Sequence, residues 1–436
     1  MSNQVNSMNK GLTVKDLVTT GIFTALLFVF VLVGGVFFAT NPVLTFFMPA
    51  GGGLLAGPIY LLLIAKVHKR WSLSIMGVIM GIIWFVTGMH WAFALGYMIM
   101  AIVADFVAGA GQYKSKKLNS LSYILFSLGG TGSYIVFFVD PNGWAQTMLG
   151  NENSPYYGLV RDLTSYTDTE HLFTFGMNLG YNSCTYGAQQ IRQNEERLRQ
   201  DIPWTVLFQM GELSPVRLAE YGAAISEGEE LGVYTWMLFP TADHEKALDL
   251  IRDHSDSAFF LFCAPEDLSP NLLDGFSELK NLMPVIRYRE EQTERYARLR
   301  ALGVPYCAWL PYGEDDLAAI QDGEVFLGVQ QTKAVFTALV PRQGCPEEVR
   351  LQVQQAVEQA RNEQRYQTIP WELERDNRRV DEIISDGACA VCFDQEGHLL
   401  DSNGSPIRPD LGLFEHGLTE VLRLACPKET LEVKAQ

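Results

Sequence analysis

The pattern of hydrophobic and polar positions divides the chain into two unlike parts. From Leu17 to Ala65 no charged residue occurs, and long apolar runs continue as far as Val139. Beyond about residue 170, short apolar runs alternate with charged stretches. Because a helix needs roughly 20 apolar residues to cross the hydrocarbon of a bilayer, the first part predicts a membrane domain. The second part predicts a water-soluble domain.

The first part predicts about five transmembrane helices, near 17–39, 44–65, 72–89, 91–112 and 119–139. In the second of these, Pro49, three consecutive glycines from Gly51 and Pro58 indicate a broken or kinked helix. Lys10, Lys15 and the segments 66–70 and 114–117 place basic residues on one side. Since basic loops stay in the cytoplasm, the N-terminus is expected there, in a multi-pass protein of the cell membrane. Val139 would then emerge outside.

The second part predicts an α/β domain. Apolar, β-rich runs occur at 173–181, 205–210, 232–240, 258–265, 283–288, 305–311 and 324–331. Strands buried on both faces that alternate with helices indicate a parallel sheet, as a partial or full β/α barrel. We therefore expect a membrane domain over 1–139, a polar linker over 140–170 and a soluble domain with a C-terminal extension over 171–436. Residues 350–384 predict a long polar helical region.

Charge follows the same division. Residues 1–139 contain eight Lys/Arg and two acidic residues, and the whole chain carries a formal charge of −17, so residues 140–436 carry −23. An acidic soluble domain argues against nucleic-acid binding. All seven cysteines lie in the second part, mostly within apolar runs, which favours reduced, buried thiols over a disulfide framework.

Five residues of the membrane domain are candidates for binding a substrate: Trp84, His90, Trp91, Tyr97 and Asp105. The four ring-bearing side chains cluster near the external ends of two spans. They fit either an interfacial aromatic belt or a pocket whose rings stack on a flat heterocycle. Asp105 is the only carboxylate within a span, so it either faces a cavity or extends to the cytoplasmic end.

The membrane part resembles the substrate-binding S components of energy-coupling-factor (ECF) transporters of the MptD type. The resemblance covers residues 8–165 and rests on "LLAGPIYLLLIAKVHKRWSLSIMGVIMGIIWFVTGMHWAFALGYMIMAIVADFVAG" and on Gly21 and Ala25 in the first span. It implies a small-residue face at Gly21 and Ala25 that docks on a transmembrane coupling subunit. It also implies separate ATPase subunits, which agrees with the lack of a P-loop, and a small vitamin-like substrate. S components have six spans, whereas five are predicted here.

Residues 172–425 resemble a degenerate radical-SAM barrel. In "GYNSCTYGA" the three cluster positions of that family correspond to Gly180, Cys184 and Gly187. Gly211 and Glu212 correspond to a segment that contacts the methionine part of S-adenosylmethionine. One thiolate cannot anchor a cubane cluster that normally uses three, so no cofactor is expected. A [4Fe–4S] cluster and S-adenosylmethionine belong only to the alternative in which this domain is catalytic. Cys184 is otherwise an ordinary thiol.

Cys389 and Cys392 form a Cys-x2-Cys pair, which suits a metal knuckle or a redox pair. Their spacing in "CAVCF" also fits buried packing in a short strand, and no metal site is predicted. The sequence therefore favours a membrane-embedded, S-component-like importer subunit fused to an acidic α/β domain. The alternatives are a radical-SAM-type enzyme or pseudo-enzyme tethered to the membrane, and an accessory domain. The side of the membrane on which the α/β domain lies is left open, because five spans and an enzyme-like domain point to opposite sides.

Overall fold

The computed structural model describes residues 11–36, 48–87, 89–132, 134, 151–292, 294–385, 387, 389 and 391–428. The chain forms two compact units, which divide between Glu152 and Asn153. The described part of the expected linker is folded, because residues 155–166 are helical and belong to the second unit.

The first unit is a bundle of helices. Its described helices are α1 (Val14–Val36), α2 (Met48–Lys66), α3 (Ser72–Val86), α4 (Trp91–Ala110) and α5 (Lys116–Ser127), followed by a 3₁₀ turn (Leu128–Thr131). Three of these described helices, α1, α2 and α4, are long and apolar enough to cross a membrane, and α3 is a shorter apolar helix. The end of the fifth expected span, from residue 135 to 139, lies outside the described residues.

Within its described residues the second span is not broken. Helix α2 is unbroken from Met48 through Pro58 to Lys66. Pro49 lies in the first turn, where its missing N–H would have had no partner within the helix. Pro58 removes one backbone hydrogen bond, which a packed helix tolerates. Tyr60 and Leu63, just after the proline, are fully buried in the bundle core.

The second unit is built on a parallel sheet of eight strands. The strands are β1 (Thr205–Met210), β2 (Thr235–Pro240), β3 (Ala258–Cys263), β4 (Leu282–Arg287), β5 (Cys307–Tyr312), β6 (Phe336–Pro341), β7 (Ile369–Glu372) and β8 (Val391–Phe393). Their order across the sheet is β7-β6-β5-β4-β3-β2-β1-β8. This is the strand order of a β/α barrel, and within the described residues β7 and β8 remain the two edges. The fold is therefore a partial barrel.

Helices surround this sheet. Before β1 lie α6 (Pro155–Tyr166), α7 (Thr169–Met177), a π-helical segment (Asn178–Gly187) and α8 (Ala188–Leu198). Between strands lie α9 (Pro215–Leu231), α10 (His244–Asp253), α11 (Pro270–Glu278), α12 (Glu294–Ala301), α13 (Leu317–Gln321), α14 (Glu324–Gln330), α15 (Glu347–Asn362) and α16 (Leu373–Ile384). After β8 come α17 (Leu413–His416) and α18 (Leu418–Ala425).

Alternation along each strand gives the sheet two apolar faces. In β2, Trp236 and Leu238 pack in the core beneath the outer helices, whereas Met237 packs in a separate cluster on the inner face. Helix α16 lies on that inner face, because Leu373 belongs to the inner cluster and Asn377 Nδ2 lies 3.5 Å from Met237 Sδ. A regular β/α barrel would place this helix outside.

Two predicted strands are helices. Residues 173–181 belong to α7 and the π-helical segment, and residues 324–331 contain α14. Asp168 caps α7 by accepting from the His171 N–H at 3.0 Å. In α14, Phe326 and Val329 are buried three residues apart while Leu327 between them is exposed, which is helical periodicity. The sequence pattern did not predict β6 or β7. It predicted a single helical region over 350–384, where β7 separates α15 from α16.

Candidate functional site

The membrane unit contains an aromatic cluster around Trp84. Its indole stacks with the Tyr97 ring at a centroid distance of 6.5 Å and meets the Phe93 ring edge-on at 5.4 Å. The Phe28 ring, from α1, lies 4.8 Å from the indole. The turn between α3 and α4 brings Trp84 and Tyr97 together, so two predicted substrate-binding residues share one site.

Trp84 also holds an unpaired donor. Its side chain is 5% exposed, and the buried indole Nε1 has no hydrogen-bond partner within the described part of the chain. A buried N–H without a partner costs roughly 1–3 kcal/mol, so such groups usually face a ligand or water. The position suits recognition of an acceptor atom on a flat molecule.

His90 and Trp91 lie at the edge of this cluster. The His90 side chain caps α4 by accepting from the Ala92 N–H at 3.3 Å. Trp91 is 52% exposed and its ring lies 5.3 Å from the His90 ring. The two rings therefore face outward at the start of α4, a position that fits the interfacial belt as well as the mouth of a pocket.

Asp105 is not part of the aromatic cluster. It lies eight residues beyond Tyr97 on α4, roughly 12 Å along the axis. The carboxylate is 5% exposed and accepts hydrogen bonds from the Ser74 N–H (3.0 Å), the Ser74 hydroxyl (2.8 Å) and the Tyr113 hydroxyl (2.5 Å). These contacts tie α3 to α4, so Asp105 neither extends toward solvent nor meets the other candidates.

Gly21 and Ala25 form an outward-facing surface of α1. A Cβ added at Gly21 would meet no described atom within 4 Å, and Ala25 is exposed. Thr20, Thr24 and Leu27 on the other side of the helix are buried in the bundle. The small-residue face is therefore available to a partner helix or to lipid.

The predicted cluster loop of the α/β unit lies at the amino edge of the sheet. Ser183 accepts a hydrogen bond from the hydroxyl of Thr235, the first residue of β2, at 2.8 Å. Asn178 donates to the carbonyls of Ser255 and Ser257, just before β3, at 2.8 and 3.0 Å. The π-helical segment that contains Gly180, Cys184 and Gly187 thus covers the start of the strands.

Gly211 and Glu212 lie at the opposite edge, because they follow Met210, the last residue of β1. A six-residue strand spans roughly 17 Å, so the structure separates Cys184 from the two residues expected beside it. Cys184 is exposed and is the only cysteine in its segment. These residues do not fit an iron–sulfur cluster with S-adenosylmethionine.

Sequence reasoning missed a large cavity in the α/β unit. Its volume is about 1440 Å³, and its wall includes side chains of β1, β2, β5, β6, α16 and the segment around β8. It runs along the inner face from the segment before β1 to the residues that follow β2 and β6, so it includes carboxyl ends of strands, where parallel α/β folds bind ligands. No local motif could have revealed it, because its wall comes from residues as far apart in the sequence as Thr205 and Lys428.

Two buried carboxyl groups flank the inner face. Burial raises the pKa of Glu372 to about 7, although the Arg375 N–H and the Tyr312 hydroxyl donate to it at 2.6 and 2.8 Å. Burial likewise raises the pKa of Asp381 to about 8, although it accepts from the Trp204 N–H at 2.7 Å. Burial therefore favours the protonated form of both groups.

The Cys-x2-Cys pair is divided between two environments. Cys392 lines the cavity, where Gln209 Nε2 lies 3.7 Å from its sulfur. Cys389 instead has the thiol of Cys426 as its neighbour, and this neighbour and burial raise the pKa of Cys389. Among the described residues, no group of three or more His, Cys, Asp or Glu side chains could hold a metal ion.

Together these features define a helical membrane domain joined to a partial β/α barrel. A family model described as a hypothetical bacterial integral membrane protein (Trep_Strep) matches residues 14–176. The matched region contains the membrane helices, α6 and all but the last residue of α7. The chain therefore carries an integral-membrane domain. No curated protein sequence matches the chain.

Solved structures of SuiB from Streptococcus suis resemble the chain at low similarity. SuiB bound to S-adenosylmethionine gives a TM-score of 0.39 at 9% identity over 55% of this chain and 68% of SuiB. SuiB alone gives 0.38 at 10% identity, over 55% and 70%. SuiB bound to the precursor peptide SuiA gives 0.38 at 8% identity, over 56% and 74%. Similarity at this level carries no statement about the cofactor or activity of this chain.

Proposed function

We propose that the membrane unit is the substrate-binding component of an ECF-type importer. The observation that carries the proposal is the unpaired indole N–H of Trp84 within a buried aromatic cluster. Rings from α1, α3 and α4 would stack on a flat heterocycle, and the indole would donate to an acceptor on its edge. A small vitamin-like molecule has this chemistry.

The partner surface of the proposal is the outward face of α1. Gly21 and Ala25 let a transmembrane coupling subunit approach the backbone closely, as small-residue faces do in membranes. ATPase subunits bound to that partner would supply the energy for import. The α/β unit is not assigned a radical reaction, because its residues do not fit the cluster.

Binding is tested with the full chain in detergent micelles against a panel of flat, water-soluble heterocycles, scored by thermal shift. We expect at least one compound to raise the melting temperature. Trp84→Phe should then weaken binding at least tenfold, because it keeps an aromatic ring but removes the N–H. Trp71→Phe, at an exposed tryptophan beside the other end of α3, is the matched control and should bind within twofold of the wild type. A panel without any binder, or equal binding by Trp84→Phe, would argue against this pocket.

Docking is tested by co-expression with the coupling and ATPase subunits of the same cell. The wild-type chain should co-purify with them, and Gly21→Leu together with Ala25→Leu should abolish the complex. Ala110→Leu repeats the alanine-to-leucine change at an exposed site on α4 and should leave the complex intact. The partner assignment is wrong if the wild type and both variants co-purify equally with the coupling and ATPase subunits. It is also wrong if none of these three forms of the chain co-purifies.

A further inference from the structure

The C-terminal segment of the α/β unit pairs with the segment that precedes β1. The Asp201 N–H donates to the Cys426 carbonyl at 2.9 Å, and the Lys428 N–H donates to the Arg199 carbonyl at 3.2 Å. Gln200 and Pro427 form an antiparallel bridge between the same two segments. Cys426 is therefore held in place by backbone contacts on both sides.

Cys389 is held in place by contacts with α16 and with the start of β8. Its backbone N–H donates to the buried carboxyl group of Asp381 on α16. Two residues further on, Val391 begins β8, which pairs with β1. Both cysteines line the cavity of the α/β unit, and their thiols are close enough for each to shift the pKa of the other. Since backbone contacts hold both residues in the cavity wall, the two thiols are neighbours in the folded chain.

We propose that Cys389 and Cys426 are a redox site that closes reversibly to a disulfide in the cavity wall. The oxidant is a low-molecular-weight disulfide. The Cys426 thiolate attacks one sulfur of that disulfide, so a mixed disulfide forms and one small thiolate leaves. Cys389 then loses its proton and attacks Cys426 Sγ, which expels the second small thiolate. Two protein thiols are oxidised and one small disulfide is reduced to two thiols.

The electrostatics assign these two roles. The hydrogen bond from Cys389 lowers the pKa of the Cys426 thiol, whereas the same contact and burial raise the pKa of Cys389. Cys426 is also the more exposed of the two. The thiolate is the reactive species, so Cys426 is the thiol that a small disulfide meets first. Burial raises the pKa of Cys392 to about 12, so this cysteine, three residues after Cys389, stays protonated.

The consequence for the fold is a covalent link between the segment before β8 and the end of α18. A bond between sulfur atoms at about 2 Å would close a loop of about 37 residues. Closing a loop of that length restricts the unfolded chain, so the oxidised form should melt roughly 5 °C higher. It would also fix the cavity wall formed by residues 389–426.

The test is a thiol count on the full chain in detergent micelles, after equilibration with oxidised glutathione and denaturation. We expect the seven cysteines of the reduced chain to give five free thiols, and mass spectrometry to find a peptide that links Cys389 to Cys426. Cys392→Ser should lose two thiols in the same way. Seven remaining thiols, or a link from Cys389 to Cys392, would overturn the proposal.

Single serine substitutions distinguish the thiol that attacks the small disulfide from the thiol that closes the protein disulfide. Cys389→Ser should retain a glutathione adduct on Cys426, because the second attack is removed. Cys426→Ser should carry no adduct on Cys389. Equal adducts on both variants would contradict the order of attack. The count on the wild-type chain decides the existence of the disulfide even if either variant folds poorly.

Discussion

At the scale of single residues, Glu372 links pH to the stability of the α/β unit. Its pKa of about 7 in the folded chain lies above its usual value of 4.5. Below pH 4.5 the group is protonated in both states and its full contribution is present. As the pH rises toward 7, the unfolded chain loses the proton first, so the folded state is destabilised by up to a few kcal/mol.

Glu372→Gln should reduce this pH dependence. The amide can donate to the Tyr312 oxygen and accept from the Arg375 N–H, which mimics the protonated acid. Pulse proteolysis of the full chain in urea, at pH 5 and pH 8, measures the effect. We expect the wild type to unfold at lower urea at pH 8 and the variant to show a smaller difference. Asp381 titrates in the same direction, so some difference should remain. An unchanged difference would rule out Glu372 as its source.

The sequence alone could identify site residues that lie close together along the chain. Trp84 and Tyr97 lie 13 positions apart on two helices joined by a short turn, so an aromatic site could be predicted from that spacing. The thiol contact between Cys389 and Cys426 could not, because it depends on how Asp381 and Asp201 hold two distant segments. The neighbouring Cys392 looked like the partner only because it is close in sequence.

At the scale of helices, glycine serves two purposes in the membrane unit. A Cβ at Gly77 would collide with Ala101 Cβ and lie 2.9 Å from the Tyr97 carbonyl, and one at Gly81 would lie 2.7 Å from the Ala94 carbonyl. These glycines allow α3 to pack closely on α4. Gly21 faces open space instead.

The same substitution should therefore have opposite effects at the two places. Gly77→Ala should lower the melting temperature of the full chain in detergent micelles, at a cost of about 1–3 kcal/mol from overpacking. Gly21→Ala should leave it unchanged or raise it, because alanine favours a helix over glycine by about 1 kcal/mol. A loss of stability in Gly21→Ala, or none in Gly77→Ala, would show that the two helix faces are misassigned.

Strand β1 separates the residues that the radical-SAM resemblance would bring together. Cys184 lies in the segment that covers the amino ends of β2 and β3, and Gly211 and Glu212 follow the carboxyl end of β1. After anaerobic reconstitution with iron and sulfide and removal of unbound metal, the wild type should therefore retain no more iron than Cys184→Ser. Stoichiometric iron in the wild type and its loss in the variant would refute this separation.

Strands and helices differed in how well their patterns predicted them. Most residues of strands β1 to β5 are buried or half-buried, so each strand appears in the sequence as a largely apolar run. Helix α7 carries Phe173 outward and Phe175 into the inner cluster, which makes its sequence look equally apolar all round. The capping residue Asp168 was the signal for a helix. Strand β7 is only four residues long and contains a proline, so the surrounding polar helices concealed it.

At the scale of the whole molecule, the sequence correctly separated a helical membrane domain from a parallel α/β domain. The presence of these two domains follows from averages of hydrophobicity and charge over long stretches of the chain, which a single sequence contains. The inward position of α16 and the open edges at β7 and β8 do not follow from such averages. They depend on side-chain contacts such as Asn377 with Met237, which arise only when distant segments meet.

Membrane topology provides the last prediction. An N-terminus in the cytoplasm and five spans would place the α/β unit outside the cell, where disulfides persist. Cys184 is the exposed cysteine among the described residues, so it reports the side. A membrane-impermeant maleimide should label the wild type in intact cells, and Cys184→Ser should lose most of this label. Because the same compartment would oxidise Cys389 and Cys426, chain isolated under thiol-blocking conditions should already contain their disulfide. Labelling of Cys184 only after permeabilisation would place the unit in the cytoplasm, where the thiol pair would be kept reduced.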